Sequence, residues 1–153
     1  MRRDKLKVVP TPVDAAPGHY VLDDQIGFQM RVAMQRITSI FTARMIEQLT
    51  PAQFCALAKL HEVGACSQNH LGRLIYLDAA TIKGVVDRLG ARGFVTALSD
   101  PRDRRRRAVA LTERGREVAQ AATLAAADIT AATLDPLTAE ERRTLSRLIK
   151  KLS

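Results

Sequence analysis

Five arginines occupy six consecutive positions of this chain, and an alternating apolar segment follows them directly. The run spans residues 102–107, with Asp103 as its one other residue. Guanidinium groups are planar forks that match phosphate oxygens and also fit narrow, negatively charged grooves. The aspartate–proline pair at 100–101 favours a turn, and Val109 and Leu111 would share one face of a strand. The pattern predicts a hairpin whose tip is covered with arginine.

Residues 67–95, directly upstream, predict two short helices joined by a tight turn. Ser67 and Asp78 suit the starts of these helices because their side-chain oxygens accept hydrogen bonds from unpaired backbone N–H groups. Apolar residues of the second helix follow the i, i+3, i+4, i+7 spacing of one buried face. These residues are Ile82, Val85, Val86 and Leu89.

The other face of the second helix is small or hydrogen-bonding near its N-terminus and basic further along. It carries Ala80, Thr81, Lys83, Gly84, Asp87 and Arg88. A recognition helix whose N-terminal half enters the major groove has this composition, and so does an ordinary amphipathic surface helix. A solvated surface is likewise the ordinary explanation of an arginine run. The direct succession of both features favours a nucleic-acid contact.

The charge of the chain agrees with a polyanionic partner. The formal net charge is +8, and residues 88–107 contain seven arginines against two aspartates, a local net charge of +5. Charge concentrated on one surface indicates a polyanion more than general solubility. Aromatic residues make up only 4% of the chain and none interrupts the arginine run. This composition disfavours single-strand stacking platforms and RNA-binding sheets, and it favours duplex DNA.

Two helices, a turn and an arginine-rich hairpin in succession make a winged helix-turn-helix, and here the chain resembles the MarR family of bacterial transcriptional regulators. Asp103-Arg104-Arg105 followed by Leu111-Thr112 fits the family's wing signature of Asp-x-Arg, five residues and Leu-Thr. Residues 81–95 are similar to the family's recognition helix and its exit, and residues 49–54 to the start of its second helix. One departure is Gly84, where the family often has an arginine. Lys83 or Arg88 would then take over that contact.

The resemblance implies a mainly α-helical fold with a small β-hairpin, dimeric through its N- and C-terminal helices. Residues 1–20 would form a flexible arm and residues 21–153 the MarR-type domain. Within that domain, residues 21–48 and 113–153 would be dimerisation helices and residues 50–112 the DNA-binding lobe. The first helix carries the 4-3-4-3 apolar spacing of a two-helix seam. Its members are Ile26, Met30, Ala33, Ile37 and Ile40.

A homodimer would present two recognition helices about one DNA turn, ~34 Å, apart on a pseudo-palindromic operator. Thr81, Lys83 and Arg88 would read or anchor to the major groove, and Arg105 would enter the minor groove. A helix N-terminus and the remaining arginines would hold phosphates. The expected DNA-contacting residues are Ser67, Gln68, Asn69, Ala80, Thr81, Lys83, Arg88, Arg102, Arg104, Arg105, Arg106 and Arg107.

The resemblance also implies an effector, because members of the family commonly release DNA when a small aromatic anion binds between the dimer helices and the DNA-binding lobe. Tyr20, Arg31 and His61 are the polar residues near that junction, and histidine or arginine can pair with a carboxylate. A histidine at a helix end also commonly faces solvent. Residues 61–69 look like the repressors of nicotinate degradation, whose effectors are pyridine carboxylates such as 6-hydroxynicotinate.

Two other regulatory functions stay open. A thiol-based redox sensor would use Cys66, which precedes a helix N-terminus that can lower a thiol pKa. Cys55 is expected in the core, and its spacing from Cys66 forms no C-x-x-C motif. A non-specific architectural DNA-binding protein would share the basic wing and would need neither a pocket nor a palindrome.

Catalysis, cofactors, metals and membranes are not expected. His19, His61 and His70 lack metal-ligand spacing, and the sequence has no phosphate-cradling glycine loop or nucleophile elbow. No stretch approaches the ~20 apolar residues of a membrane span. The N-terminal residues lack the apolar core of a secretory signal, so a cytoplasmic location is predicted.

Overall fold

A computed structural model describes residues 20–100 and 103–152 of the chain, and for Asp100 and residues 103–106 it describes the backbone only. The predicted arm, apart from Tyr20, and Arg102 lie outside the described residues. The chain divides between Thr38 and Ser39 into two compact units. The functional division at residues 48–50 and 112–113 stays a prediction.

The described chain is mainly helical with one small sheet, as predicted. The helices are α1 Ile26–Arg44, α2 Pro51–Val63, α3 Gln68–Leu74, α4 Ala79–Ala91, α5 Glu113–Leu134 and α6 Ala139–Ile149. Short 3-10 turns at Leu22–Asp24 and Ile46–Gln48 precede α1 and α2. The strands are β1 Cys66–Ser67, β2 Val95–Asp100 and β3 Asp103–Leu111.

The sheet is antiparallel with the order β1-β3-β2, so β3 lies in the centre. Val95 pairs with Leu111 and Ser99 with Arg107, and we call this β2–β3 hairpin the wing. Two features differ from the prediction. The register of the wing shifts between Ser99, which pairs with Arg107, and Asp100, which pairs with Asp103, so residues 104–106 form a bulge in β3 between these two pairs. Strand β1, where Cys66 pairs with Val109, is too short to show an alternating pattern.

Side-chain caps begin five of the described helices, among them the two predicted to start at Ser67 and Asp78. The Thr50 hydroxyl accepts from the Gln53 backbone N–H at 3.3 Å, while the Gln53 side chain accepts from the Thr50 N–H at 3.0 Å. Thr138 and Glu141 form the same reciprocal pair at the start of α6. Single caps open α3, α4 and α5 at Ser67, Asp78 and Thr112. Each pairs a backbone donor that the helix itself cannot satisfy.

The core of the larger unit lies between α2, α3, α4 and the first half of α5. Its largest fully buried side chains are Phe94, Leu57, Leu71, Ile82, Leu89 and Val85. The predicted buried face of α4 is therefore confirmed, with Val86 partly buried at its border. Each such side chain contributes roughly 1.5–3 kcal/mol to folding. This core fixes which face of α4 remains in solvent.

The wing, α4 and α5 meet at one tight backbone junction. The Thr112 hydroxyl donates to the Gly93 carbonyl oxygen at 2.7 Å and accepts from the Gly115 N–H at 2.9 Å. Gly93 has a φ of +73°, which favours glycine. A β-carbon built on Gly115 would overlap the Phe94 carbonyl oxygen. Glycine at 115 therefore lets α5 start directly against the end of α4.

Several long apolar side chains remain in solvent. In the first unit, Ile26 and Met30 of the predicted seam are exposed, as are Val32 and Met34. In the second unit, α5 exposes Leu124. Helix α6 exposes Leu145, Leu148, Ile149 and the following Leu152. Exposed apolar patches of this kind mark interaction surfaces.

Candidate nucleic-acid interface

The start of α3 exposes hydrogen-bonding groups beside the wing. The Ser67 hydroxyl accepts from the His70 N–H at 3.2 Å, and both Ser67 and Asn69 are exposed, with Gln68 half-buried. Ser67 also pairs with Ala108 in the sheet, next to Arg107. The β1–β3 pairing therefore brings the predicted phosphate-binding helix start to the base of the wing.

The predicted reading face of α4 is exposed, including Ala80, Thr81, Lys83 and Arg88. The Asp78 carboxylate accepts from the Thr81 N–H at 2.8 Å and from the Thr81 hydroxyl at 2.7 Å. These hydrogen bonds hold the pKa of Asp78 below its ordinary value. The Thr81 hydroxyl thus donates within the protein, and its oxygen lone pairs remain available to an outside donor.

Lys83 and Asp87 form an ion pair at 2.6 Å on this face, with both side chains largely in solvent. Exposed pairs of this kind contribute little to stability, so a phosphate can compete for the lysine. The Arg88 guanidinium lies over Gly84, where a β-carbon would stand 3.2 Å from Arg88 Nη1. Arg88 therefore occupies the space left by the missing side chain at position 84.

The arginine strand completes the surface. Arg107 is exposed and pairs with Ser99, and Arg104, Arg105 and Arg106 precede it in β3 at the register shift of the wing. The start of α3, α4 and the wing all belong to the second unit. One compact unit thus combines a hydrogen-bonding helix start, a polar helix face and a basic strand.

The residues predicted to bind a ligand fall in both units. In the first unit, Tyr20 is exposed, and the Arg31 guanidinium lies 5.0 Å from the centre of the Phe28 ring. In the second unit, His61 is exposed in the last turn of α2.

His61 lines a cavity of about 480 Å³ between the end of α2, the wing and the start of α5. Its apolar walls include Leu60, Leu98 and Leu111, and Arg116 also lines it. The Arg116 guanidinium donates to the Leu111 carbonyl oxygen at 3.3 Å. The sequence interpretation missed Arg116. A basic residue one turn into α5 was the signal that could have indicated it. An apolar cavity with a cation at its edge suits a small aromatic anion.

The family model described as the MarR family matches residues 49–106, which include α2, α3, α4 and most of the wing. The transcriptional repressor NicR of Pseudomonas putida is 38% identical over 142 residues, covering 92% of this chain and 89% of NicR. The chain belongs to the MarR family. It is therefore a transcriptional regulator with a winged helix-turn-helix fold, and the expectation that it is not an enzyme is confirmed.

Two solved structures share nearly the whole fold of this family member. A probable transcriptional regulator from Pseudomonas aeruginosa is 47% identical, with a TM-score of 0.84, and the match covers 87% of this chain and all of that one. BpsR of Bordetella bronchiseptica, solved in a study of how 6-hydroxynicotinic acid regulates its DNA binding, is 36% identical with a TM-score of 0.82. That match covers 88% of this chain and 97% of BpsR.

The cysteines of this regulator do not resemble reactive thiols. Cys55 is exposed on the solvent side of α2, so its predicted core position is wrong: Ala56, Leu57 and Leu60 face the core instead. Cys66 is half-buried in β1. Desolvation by neighbouring atoms raises the pKa of both thiols, which lowers their thiolate fraction at neutral pH. The environment of each thiol thus disfavours the redox switch.

Within residues 20–100 and 103–152, no group of three or more His, Cys, Asp or Glu side chains is placed to hold a metal ion. None of the helices in this part of the chain combines the length and apolarity needed to cross a bilayer.

Proposed function

We propose that this protein is a cytoplasmic homodimeric repressor that binds a pseudo-palindromic operator and releases it when a small aromatic or pyridine carboxylate binds. The observation that carries the proposal is the joint exposure of the α4 face and of Arg107 in the wing on one compact unit. The repressor name of NicR and the regulation of BpsR by 6-hydroxynicotinic acid support the same conclusion.

In the proposed complex, the N-terminal half of α4 enters the major groove. Thr81 and Lys83 contact base edges or the groove wall, Ala80 offers an apolar contact, and Arg88 reaches the position that Gly84 leaves vacant. Ser67, Gln68 and Asn69 hold the phosphate backbone beside α3.

The wing lies along the adjacent minor groove, with Arg105 inserted. The remaining arginines neutralise phosphates. They are Arg102, Arg104, Arg106 and Arg107.

The proposed dimer covers the exposed apolar residues of α1, α5 and α6. Helix α6 has its apolar side chains on one side and Arg143, Arg147 and Lys150 on the other, so one side alone suits burial against a second copy. A two-fold axis would then present both α4 helices to successive major grooves.

The proposed effector site is the cavity beside His61. The leucine side chains would cover an aromatic ring, while His61 and Arg116 would pair with its carboxylate. Tyr20 and Arg31, the other predicted effector-binding residues, belong to the first unit and are separate candidates. Because Leu98 and Leu111 belong to the wing strands, a ligand here would act directly on the DNA-binding surface.

We expect Arg105→Ala to weaken operator binding by roughly 10- to 100-fold, as for loss of a groove-inserted arginine. Arg106→Ala removes the same charge from the adjacent position and should weaken all DNA binding by only a few fold. Titrations of both variants with the fragment upstream of the protein's own gene, beside a shuffled fragment, measure this difference. Equal losses for the two variants on both fragments would show that the wing provides phosphate attraction alone.

We expect His61→Ala to weaken 6-hydroxynicotinate binding by roughly tenfold or more, because a carboxylate loses a charge-assisted hydrogen bond. Calorimetry on the DNA-free protein measures the affinity. His70→Ala is the matched control, since His70 is an exposed histidine outside the cavity. Unchanged affinity in His61→Ala together with a loss in Arg31→Ala would place the site at the first unit instead.

A further inference from the structure

The turn between α1 and α2 has an unusual backbone. Glu47 and Gln48 are consecutive residues with φ values of 53° and 50°, and neither is glycine. The left-handed region is sparsely populated by such residues and persists only where the surroundings hold it. The contacts of Glu47 therefore indicate the structural role of this turn.

The contact partner is Arg92, the residue that ends the recognition helix α4. Its Nη2 donates to the Glu47 carbonyl oxygen at 2.7 Å and to the Glu47 carboxylate at 3.1 Å, across 45 positions of sequence. The same guanidinium lies 4.6 Å from the centre of the Phe94 ring, which is fully buried. Arg92 is thus held by both main-chain and side-chain groups of the turn and by the core.

We propose that Arg92 is a positioning residue for operator recognition, tying the C-terminal end of α4 to the turn that joins α1 to α2. We call the Arg92–Glu47 contact the latch. It lies at the opposite end of α4 from Ala80, Thr81 and Lys83, and its one link to a predicted DNA-contacting residue is the hydrogen bond from the Arg92 N–H to the Arg88 carbonyl oxygen at 3.3 Å. The latch acts by fixing the direction of the helix, and it rests on the operator binding proposed above.

The length of α4 makes this end of the helix important. Its 13 residues span about 20 Å, so a tilt of about 5° at the latch moves the reading end by nearly 2 Å. Bidentate base contacts tolerate little displacement, whereas phosphate attraction tolerates much more. Loss of the latch should therefore reduce selective binding and leave non-selective binding nearly unchanged.

Glu47→Ala is the most informative variant because the loss of a negative charge and the loss of helix positioning would change operator affinity in opposite directions. Removing a carboxylate from the DNA-binding unit should strengthen DNA binding if only charge matters. The latch predicts that Glu47→Ala weakens binding to the fragment upstream of the protein's own gene by a few fold, less than Arg92→Ala because the Glu47 carbonyl oxygen still accepts from Arg92, with no weakening on the shuffled fragment. Glu47→Gly is the second variant, since glycine adopts this backbone without strain and folding is then not in question.

Arg92→Ala and Arg114→Ala are a matched pair. Both guanidinium groups lie against the Phe94 ring, Arg114 at 5.2 Å, and each variant loses one positive charge. The latch predicts that Arg92→Ala loses about tenfold more operator affinity than Arg114→Ala, while both lose the same on shuffled DNA. The double variant Arg92→Ala, Glu47→Ala should be no worse than Arg92→Ala alone.

Operator binding by Glu47→Ala and Glu47→Gly that equals or exceeds that of the wild type would overturn the latch. Equal operator losses in Arg92→Ala and Arg114→Ala would do the same. Thermal unfolding of each variant verifies that the DNA affinities are compared between folded dimers. Failure of the wild-type protein to prefer its own fragment would instead defeat the proposed repressor function, so the two failures are distinguishable.

Discussion

Leu148→Glu is expected to leave the protein monomeric and to weaken operator binding by roughly 100-fold or more, because two linked half-sites become one. Leu148 lies on α6 and is half exposed. Its neighbours Leu145 and Leu152 are exposed too, so together they form an apolar surface in solvent. A carboxylate in the middle of this side would be buried twice in a two-fold dimer, without a counter-charge. Size-exclusion chromatography with light scattering measures the oligomeric state.

Ser146→Glu is the matched control for this change. It adds the same charge to the same helix, on the side that carries Arg143, Arg147 and Lys150. The dimer should survive Ser146→Glu with a modest loss of DNA affinity. If Leu148→Glu stays dimeric and binds the operator normally, the apolar side of α6 is not part of the dimer interface.

Gly115→Ala should destabilise the fold by about 3 kcal/mol or more, the range of severe overpacking. The added methyl group would overlap the Phe94 carbonyl oxygen. A backbone carbonyl cannot rotate away from the contact as a flexible side chain can. The start of α5 would have to move away from the end of α4. For a domain of this size, the loss corresponds to a fall of roughly 10 °C in the unfolding temperature.

Gly90→Ala makes the same chemical change where there is room. A β-carbon at Gly90 meets only the Val95 carbonyl oxygen, at 4.0 Å, and the residue is exposed within α4. Alanine in a helix should be neutral or stabilising by up to ~1 kcal/mol. Thermal unfolding at one protein concentration compares the two variants. Equal unfolding temperatures would show that α5 does not start against Phe94 as described.

Local chemistry made much of the fold predictable from the sequence. The caps at Thr50, Ser67 and Asp78 depend on residues three positions apart, so sequence reveals them directly. The buried face of α4 follows from helical spacing in the same way. The exposed α4 face was predictable because it is what the core leaves in solvent.

Long-range contacts account for what the sequence did not reveal. Arg92 meets Glu47 across 45 positions, and Cys66 pairs with Val109 through backbone groups that carry no sequence signal. Arg116 joins His61 at one cavity only because α2, the wing and α5 converge there. Cys55 was misplaced because its neighbours Phe54 and Leu57 suggested a core, whereas rotation along α2 turns position 55 outward.

The most direct test of the account is selective operator binding with and without 6-hydroxynicotinate. The protein would be titrated with the fragment upstream of its own gene and with a shuffled fragment of the same length, at two salt concentrations. The proposed repressor function predicts tight binding to the first fragment alone, and 6-hydroxynicotinate should abolish that binding. Equal affinity for both fragments, falling steeply with salt and unaffected by the ligand, would contradict it and indicate an architectural DNA-binding protein.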